Sequence, residues 1–300
     1  MKETPSVTPR AGRPGLAWAI PGVLFFAFFA LVPLVMVVYL SFTDWDGLSD
    51  PQWTGFDNWS RMFEDDGMGN AIWLSLVLTV LTWVFQTPIT LLLGVWAAGR
   101  QRHRAVMSAI FFLPLLASSV ALALLWRTLF DPNLGLAADI AEWFDLDSAD
   151  LLGTDRGAFA AILFVTGWQF VPLHMLIYQG GARQIPRSLY DAASIDGAGT
   201  VRQFFSITLP QLRNTIVTST VLMVVGALTY FDTVLILTRG GPGDSTAIVP
   251  YLMYETGFQT FDLGYASAVA TALVVVATAT SLLLVRLTGF SRMRSTREGL

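Results

Sequence analysis

Six stretches of this chain are apolar over about 20 residues or more, the length a helix needs to cross ~30 Å of hydrocarbon. They run over roughly 16–42, 72–97, 105–130, 158–180, 214–237 and 265–288. Hydrocarbon offers the backbone no hydrogen-bonding partners, so such segments satisfy themselves as helices. The pattern predicts an all-α membrane protein of six transmembrane helices, and an even count puts both termini on one side. Charged residues make up 13% of the chain, against about 25% in soluble domains. The first stretch, "LAWAIPGVLFFAFFALVPLVMVVYLSF", exceeds the roughly 7–15 apolar residues of a signal peptide and no A-x-A-like site follows it, so it reads as a retained helix. Pro21, Pro33, Pro88, Pro114 and Pro172 fall inside spans, where bundles re-satisfy the freed carbonyls and use the kinks to open cavities.

Basic residues near span ends favour the cytoplasmic side. Lys2, Arg10, Arg13, Arg100, Arg102, Arg104, Arg183, Arg187, Arg202, Arg213, Arg286, Arg292, Arg294 and Arg297 are fourteen of the 18 Lys and Arg, and alternate connections carry all of them. The other side keeps Arg61, Arg127, Arg156 and Arg239, with seventeen of the 22 acids. The expectation is N-in, C-in: a cytoplasmic disordered N-terminus over 1–15, a six-helix transmembrane bundle over 16–290 and a cytoplasmic tail over 291–300. Trp45, Trp53, Trp59 and Trp143 punctuate the acidic loops; they read either as interfacial anchors or as part of a docking surface for an extracytoplasmic partner. No tandem repeat or low-complexity run is present.

On the basic side lies "YDAASIDGAGTVRQFFSITLP", residues 190–210. Pro186 suits the first turn of a helix, "PRSLYDAASID" supplies about three turns, and Gly197 can take the left-handed conformation that ends it. Thr200 can cap a second helix, and Pro210 stiffens the re-entry to the next span. Such a helix-turn-helix either packs under its own bundle or offers a surface to a partner, and spacing alone leaves both open.

"DAASIDGAGTVRQFFSITLP" closely resembles the EAA loop of the permease subunits of binding-protein-dependent ABC importers. Asp191, Ala192, Ala193, Asp196, Gly197, Ala198, Phe204, Ile207, Leu209 and Pro210 sit on the pattern, with Asp191 where the family usually has Glu. A second run, "LTRGGPGDSTAIVPYLMYETGFQTFDLGYASA" over 237–268, is similar to the maltose-type sugar permeases, as are "LSFTDWDG…FDNWSRMF" and "FLPLLASSVALALLWRTLF". The resemblance covers about residues 15–290. It implies the type I ABC importer permease fold, with the EAA loop (183–212) as a coupling helix docked in a groove of a cytoplasmic ATPase. Asp191, Ala192, Ala193, Asp196, Gly197 and Pro210 would carry that coupling. It also implies as partners a second permease subunit, two ATPase subunits and an extracellular sugar-binding lipoprotein, in a bacterial plasma membrane. The only lysine is Lys2, so no G-x-x-x-x-G-K-[ST] phosphate loop exists in this chain and ATP with Mg²⁺ belongs to the partner. The chain is expected to be a transport subunit, not an enzyme, with no cofactor or metal of its own and no nucleic-acid partner.

Asp232, in "GALTYFDTVLIL", is the one embedded carboxylate. It costs about 2.5–3.5 kcal/mol in hydrocarbon, so it should face the bundle interior or a wet cavity. It serves either as a hydrogen bond to a neighbouring helix or, with Thr229 and Tyr230, as a sugar site, which is where the resemblance places sugar contacts. Ser118, Ser119, Thr166, Trp168 and Gln169 lie beside the Pro114 and Pro172 kinks and could line the same cavity, with Ser119, Trp168 and Gln169 as candidate substrate contacts. His174 has no metal-spaced partner in its helix and reads as a packed polar residue. Sugars are the expected cargo, with glycerol phosphates as the alternative inside the family. A proton-coupled secondary transporter is the rival class, but such folds show internal repeats and have no use for an ATPase-docking loop. A membrane-embedded enzyme would need a nucleophile–base pair or metal set that the spans do not supply; the chain also has no cysteine.

Overall fold

The computed structural model describes residues 16–99, 102–143 and 150–287, and is helical apart from one short hairpin. The expected tails 1–15 and 291–300, with Lys2, Arg10, Arg13, Arg100, Arg292, Arg294 and Arg297, lie outside the described residues. Among the described residues, four helices are long and apolar enough to span a membrane: Ile20–Leu40, Asp66–Ala97, Asp155–Arg183 and Leu263–Leu287. Two bent pairs pass the same test when each is taken as one span, Val106–Leu116 with Ser119–Leu129 and Thr200–Gln211 with Arg213–Leu228.

Cap chemistry sets the helix starts. Asp65 accepts from the Gly67 N–H at the head of the second span, and Thr154 accepts from Gly157 at the head of the fourth. Each replaces a partner that the first turn lacks. The second span therefore begins six residues before its apolar run.

Two expected spans are not continuous helices. The 105–130 stretch turns by 95° between Leu116 and Ser119. Ser118 is extended there (φ −62°, ψ 138°), and Pro114 just upstream cannot donate to the helical ladder. The 214–237 stretch stops at Leu228; Thr229, Tyr230 and Phe231 leave the helical ladder, and a new helix runs over Asp232–Leu237. Phe231 takes φ −134°, ψ −58°, outside the helical well.

The fourth span is the centre of the bundle, with half of its apolar window buried inside the chain. Leu78, Ala161, Ile162, Val165, Val234, Leu237, Ile248 and Tyr251 form the largest apolar core, joining the second and fourth spans to the helix after the break. The second and fourth spans touch at Gly94, where an added Cβ would fall 2.6 Å from the Tyr178 Cβ and 2.7 Å from the Met175 carbonyl oxygen. Small residues at such crossings let helix backbones approach closely. Polar ties reinforce the packing: Gln179 Nε2 donates to the Ala97 carbonyl at 2.7 Å and Trp83 Nε1 to Thr220 Oγ1 at 3.0 Å. His174 Nδ1 and Ser219 Oγ share a bond of 2.9 Å, the packed role expected for that histidine. The first span buries no residue within this chain; its Phe and Val side chains present the apolar surface that lipid requires.

Gln179 and Ala97 meet at the C-terminal ends of parallel spans, so the molecule has two distinct ends. At the acidic end, Thr43–Asp44 pairs antiparallel with Gln52–Trp53, the hairpin that an all-helical expectation omits. This loop is fastened to the head of the last span. The Trp45 carbonyl accepts from the Leu263 and Gly264 N–H groups, Arg61 pairs with Asp262 and lies 4.3 Å over the Tyr265 ring, and the Tyr265 hydroxyl donates to Asp65. Gly264 permits the contact, because a Cβ there would sit 2.1 Å from the Thr43 carbonyl oxygen. Trp45 donates to the Ser49 carbonyl and Trp59 sits against Phe42, so these two tryptophans are engaged by their own loop. Trp53 and Trp143 stay exposed. Asp46 accepts from the Ser49 and Leu48 N–H groups and the Ser49 hydroxyl, which lower its pKa to about 2.

Candidate functional site

At the other, basic end, Pro186 is the N-cap of a helix over Arg187–Ile195 and Asp196 its C-cap. Gly197 follows at φ +78°. Its N–H donates to the Ser194 carbonyl and the Ala198 N–H to that of Ala193, at 3.1 and 2.8 Å. These two bonds make a Schellman stop, and the positive φ is why glycine occupies the position. The second helix begins after Gly199 (φ −70°, ψ 168°) with no side-chain cap bond. Thr200 is thus its first helical residue, not the cap that the sequence suggested, because the extended backbone falls one residue earlier. The helical path continues through a wide turn at Phe204–Thr208 to Pro210 and Gln211, then bends by 68° into the fifth span.

Internal bonds hold this helix-turn-helix as one piece. The Tyr190 hydroxyl and Thr208 Oγ1 lie 2.8 Å apart, and Gln203 Nε2 donates to Ser194 Oγ and the Ala198 carbonyl. An open cavity of about 850 Å³ beside it is lined by Ala98, Arg183, Arg187, Tyr190 and Gln203. Asp191, Ala192, Asp196, Gly197 and Pro210 are exposed and Ala193 half-buried. Ile195, 87% exposed, with Leu189, Val201 and Phe205, adds an uncovered apolar surface around the two carboxylates.

The second candidate region is the break in the fifth span. Gln169 Nε2 donates to Ser119 Oγ at 3.0 Å, which brings two of the sequence-predicted residues together across the third and fourth spans. One residue on, Phe170 stacks on Tyr230 with ring centroids 5.6 Å apart. Trp168 meets Trp126 edge-on at 5.3 Å and remains partly exposed. Residues 168–170 therefore connect Ser119 and Tyr230. The Thr229 hydroxyl, by contrast, bonds the Val225 and Gly226 carbonyls of its own helix, and Thr166 does the same with Ile162 and Leu163, the usual behaviour of hydroxyls in apolar helices. Asp232 is exposed at the first position of its helix, with no side-chain bond among the described residues. Ser118 is exposed at the bend.

Gln86 escaped sequence reasoning. It is fully buried in the second span, and its amide finds no hydrogen-bond partner among the described residues. Thr82, one turn away, and Gln169 Oε1 are likewise buried without partners among the described residues. The signal available was a glutamine in the middle of an apolar stretch. Such groups are costly to bury unmatched, so polar character concentrates around the break.

Past the break, Gly240 takes φ +80° and a Cβ would meet the Tyr251 ring at 2.6 Å, so the "RGGPG" turn excludes a side chain there. Thr238 and Thr246 share a hydroxyl bond across it at 2.8 Å. No group of three or more metal-ligating side chains occurs among the described residues.

Residues 90–290 match the family described as "Binding-protein-dependent transport system inner membrane component". The chain is 30% identical to the diacetylchitobiose uptake system permease protein NgcF of Streptomyces coelicolor, over 91% of this chain and 82% of that one. It is also 30% identical to the multiple sugar-binding transport system permease protein MsmF of Streptococcus mutans, over 89% and 92%. A bacterial transporter that imports the acidic polysaccharide alginate has a chain of the same fold, with TM-score 0.81 and 23% identity over 93% of this chain and 95% of that chain. With two thirds of its length on the family pattern and relatives at 30% identity along nearly all of it, the chain belongs to the binding-protein-dependent transport system inner membrane components.

Proposed function

We propose that this chain is the sugar-translocating membrane subunit of an ATP-driven importer, with six spans and both ends cytoplasmic. The observation that carries the reading is the Arg187–Ile195 helix: stopped by Gly197, presented outward among arginines, and ringed by exposed apolar and acidic side chains that no other described residue covers. An ATPase subunit is the partner that such a surface fits in this family, and the absence of a phosphate loop requires one. The full complex would pair this chain with a second permease, two ATPase subunits holding ATP and Mg²⁺, and an extracellular sugar-binding lipoprotein. The names of NgcF and MsmF support a di- or oligosaccharide cargo.

Closure of the ATPase pair on ATP would carry the coupling helix as a rigid body. The Tyr190–Thr208 and Gln203–Ser194 bonds tie it to the path that leads into the fifth span, so its displacement reaches the break at Thr229–Phe231. There Tyr230, Asp232, Gln169, Ser119 and Trp168 supply what a sugar needs: aromatic faces for C–H surface, and carboxylate and amide groups for hydroxyls. Coupling of this kind works through two discrete packings of stiff elements.

Uptake by whole cells, measured with ATP depleted and the proton gradient maintained, separates this reading from proton-coupled transport. Sugar uptake is expected to stop. Uptake that persists would make Asp232 a candidate proton carrier and remove the ATPase from the scheme.

A further inference from the structure

An aromatic series leads away from the broken turn. The Phe231 ring lies 5.1 Å from Tyr254, and Tyr254 lies 5.6 Å from Phe258, stacked within 28°. Tyr254 closes the helix Val249–Tyr254, and the wide turn Glu255–Gln259 carries Phe258 outward to 63% exposure. The series thus runs from the break toward the acidic end of the bundle. Polar groups border it: Gln259 Nε2 donates to the Tyr254 hydroxyl at 3.0 Å, which leaves that hydroxyl free to donate. Glu255 stands on the same turn, half-buried with no side-chain bond among the described residues, and Asp232 begins the helix beside Phe231.

We propose that Phe231, Tyr254 and Phe258 form an outer subsite that takes the trailing sugar units of an oligosaccharide as its leading end reaches Tyr230 and Asp232. The ring-to-ring steps are on the scale of one pyranose unit along a chain, and flat aromatic faces flanked by acceptors and a free hydroxyl match the amphipathic surface of a sugar. The proposal rests on the reading of the broken turn as the sugar site.

The test uses the complete transporter with its binding protein in proteoliposomes, and two length series, maltose to maltopentaose and diacetylchitobiose to its pentasaccharide homologue. Phe258→Ala and Tyr254→Ala are expected to lower the pentasaccharide-to-disaccharide uptake ratio roughly fivefold each, with the disaccharide rate kept within about twofold. Tyr254→Phe, which keeps the ring, should retain most of the ratio. An equal loss at both lengths, a weakened affinity for the binding protein, or an unchanged ratio overturns the proposal. Tyr230→Ala probes the underlying reading separately: it should depress both lengths together. If the wild-type complex takes up no member of either series, the sugar reading itself fails, and the subsite with it.

Discussion

Gly197→Val is expected to detach the ATPase from the membrane complex or to leave hydrolysis running without sugar uptake. The residue sits at φ +78° with nothing within 4 Å of where a Cβ would stand. A valine therefore meets no steric neighbour, and its penalty is one of backbone conformation, about 1–2 kcal/mol. The chain can relieve that penalty only by leaving the left-handed region. Doing so breaks the Ala198-to-Ala193 and Gly197-to-Ser194 bonds and re-aims the Arg187–Ile195 helix against the segment that follows. Membrane insertion should be unaffected, since the position lies in no span. Co-purification of the ATPase and sugar-stimulated ATP hydrolysis in proteoliposomes read the effect. Gly197→Asn, which tolerates positive φ better, should be milder. A valine variant that holds the ATPase and transports at the wild-type rate would show that the turn does not set the coupling geometry.

The second large effect is expected at the break. Asp232→Asn and Tyr230→Ala should each lower uptake roughly 10- to 100-fold, the scale of a lost hydrogen bond to a charged group or a lost aromatic contact in a desolvated site. Complex assembly and binding-protein affinity should be unchanged. The structure sharpens the expectation for Asp232: it is exposed with no side-chain bond among the described residues, so its replacement removes no tie seen there. Tyr230, stacked on Phe170, has more structural work, and the Asp232 variant is the cleaner probe. Thr229→Ala should have the smallest effect of the three, because that hydroxyl is already bonded to its own helix. Unchanged uptake in the Asp232 and Tyr230 variants would make both residues structural, as would loss of the assembled complex.

Much of this was legible in the sequence because the bilayer imposes so strict a code. Apolar length located the helices, and a proline-started, glycine-stopped run located the Arg187–Ile195 helix and the positive φ of Gly197. Hydropathy registers how apolar a stretch is and not where it points, so neither the 95° turn before Ser119 nor the break at Thr229–Phe231 showed in it. Pro114 marked the first place, but the extended Ser118 decides the angle. At the break the signal is weak: Gly226 lies one turn upstream and Thr229, Tyr230 and Phe231 are middling helix formers, which in an apolar run do not fix a stop; beyond it Val234 and Leu237 pack against the second and fourth spans. The Thr43–Trp53 hairpin, two residues a strand, is too short for any period to register. Of the candidate site the sequence offered the residues but not their neighbours: Gln169 and Ser119 meet and Tyr230 reaches them through Phe170, whereas the bonding of the Thr229 hydroxyl and the burial of Gln86 depend on which neighbours folding supplies.

The chain contains no cysteine, so a single introduced thiol is its sole point of attachment. Ala192→Cys places that thiol on the exposed face of the Arg187–Ile195 helix, at the centre of the surface read as the ATPase contact. A short bis-methanethiosulfonate reagent, which joins two thiols through reducible disulfides, applied to the assembled transporter with one cysteine introduced in the ATPase groove, is the most direct measurement of the coupling. The expected product is a covalent permease–ATPase adduct whose formation abolishes ATP-driven sugar uptake and whose reduction restores it. An intact complex in which Ala192→Cys never captures the ATPase, or captures it with no effect on uptake, would contradict coupling through this helix.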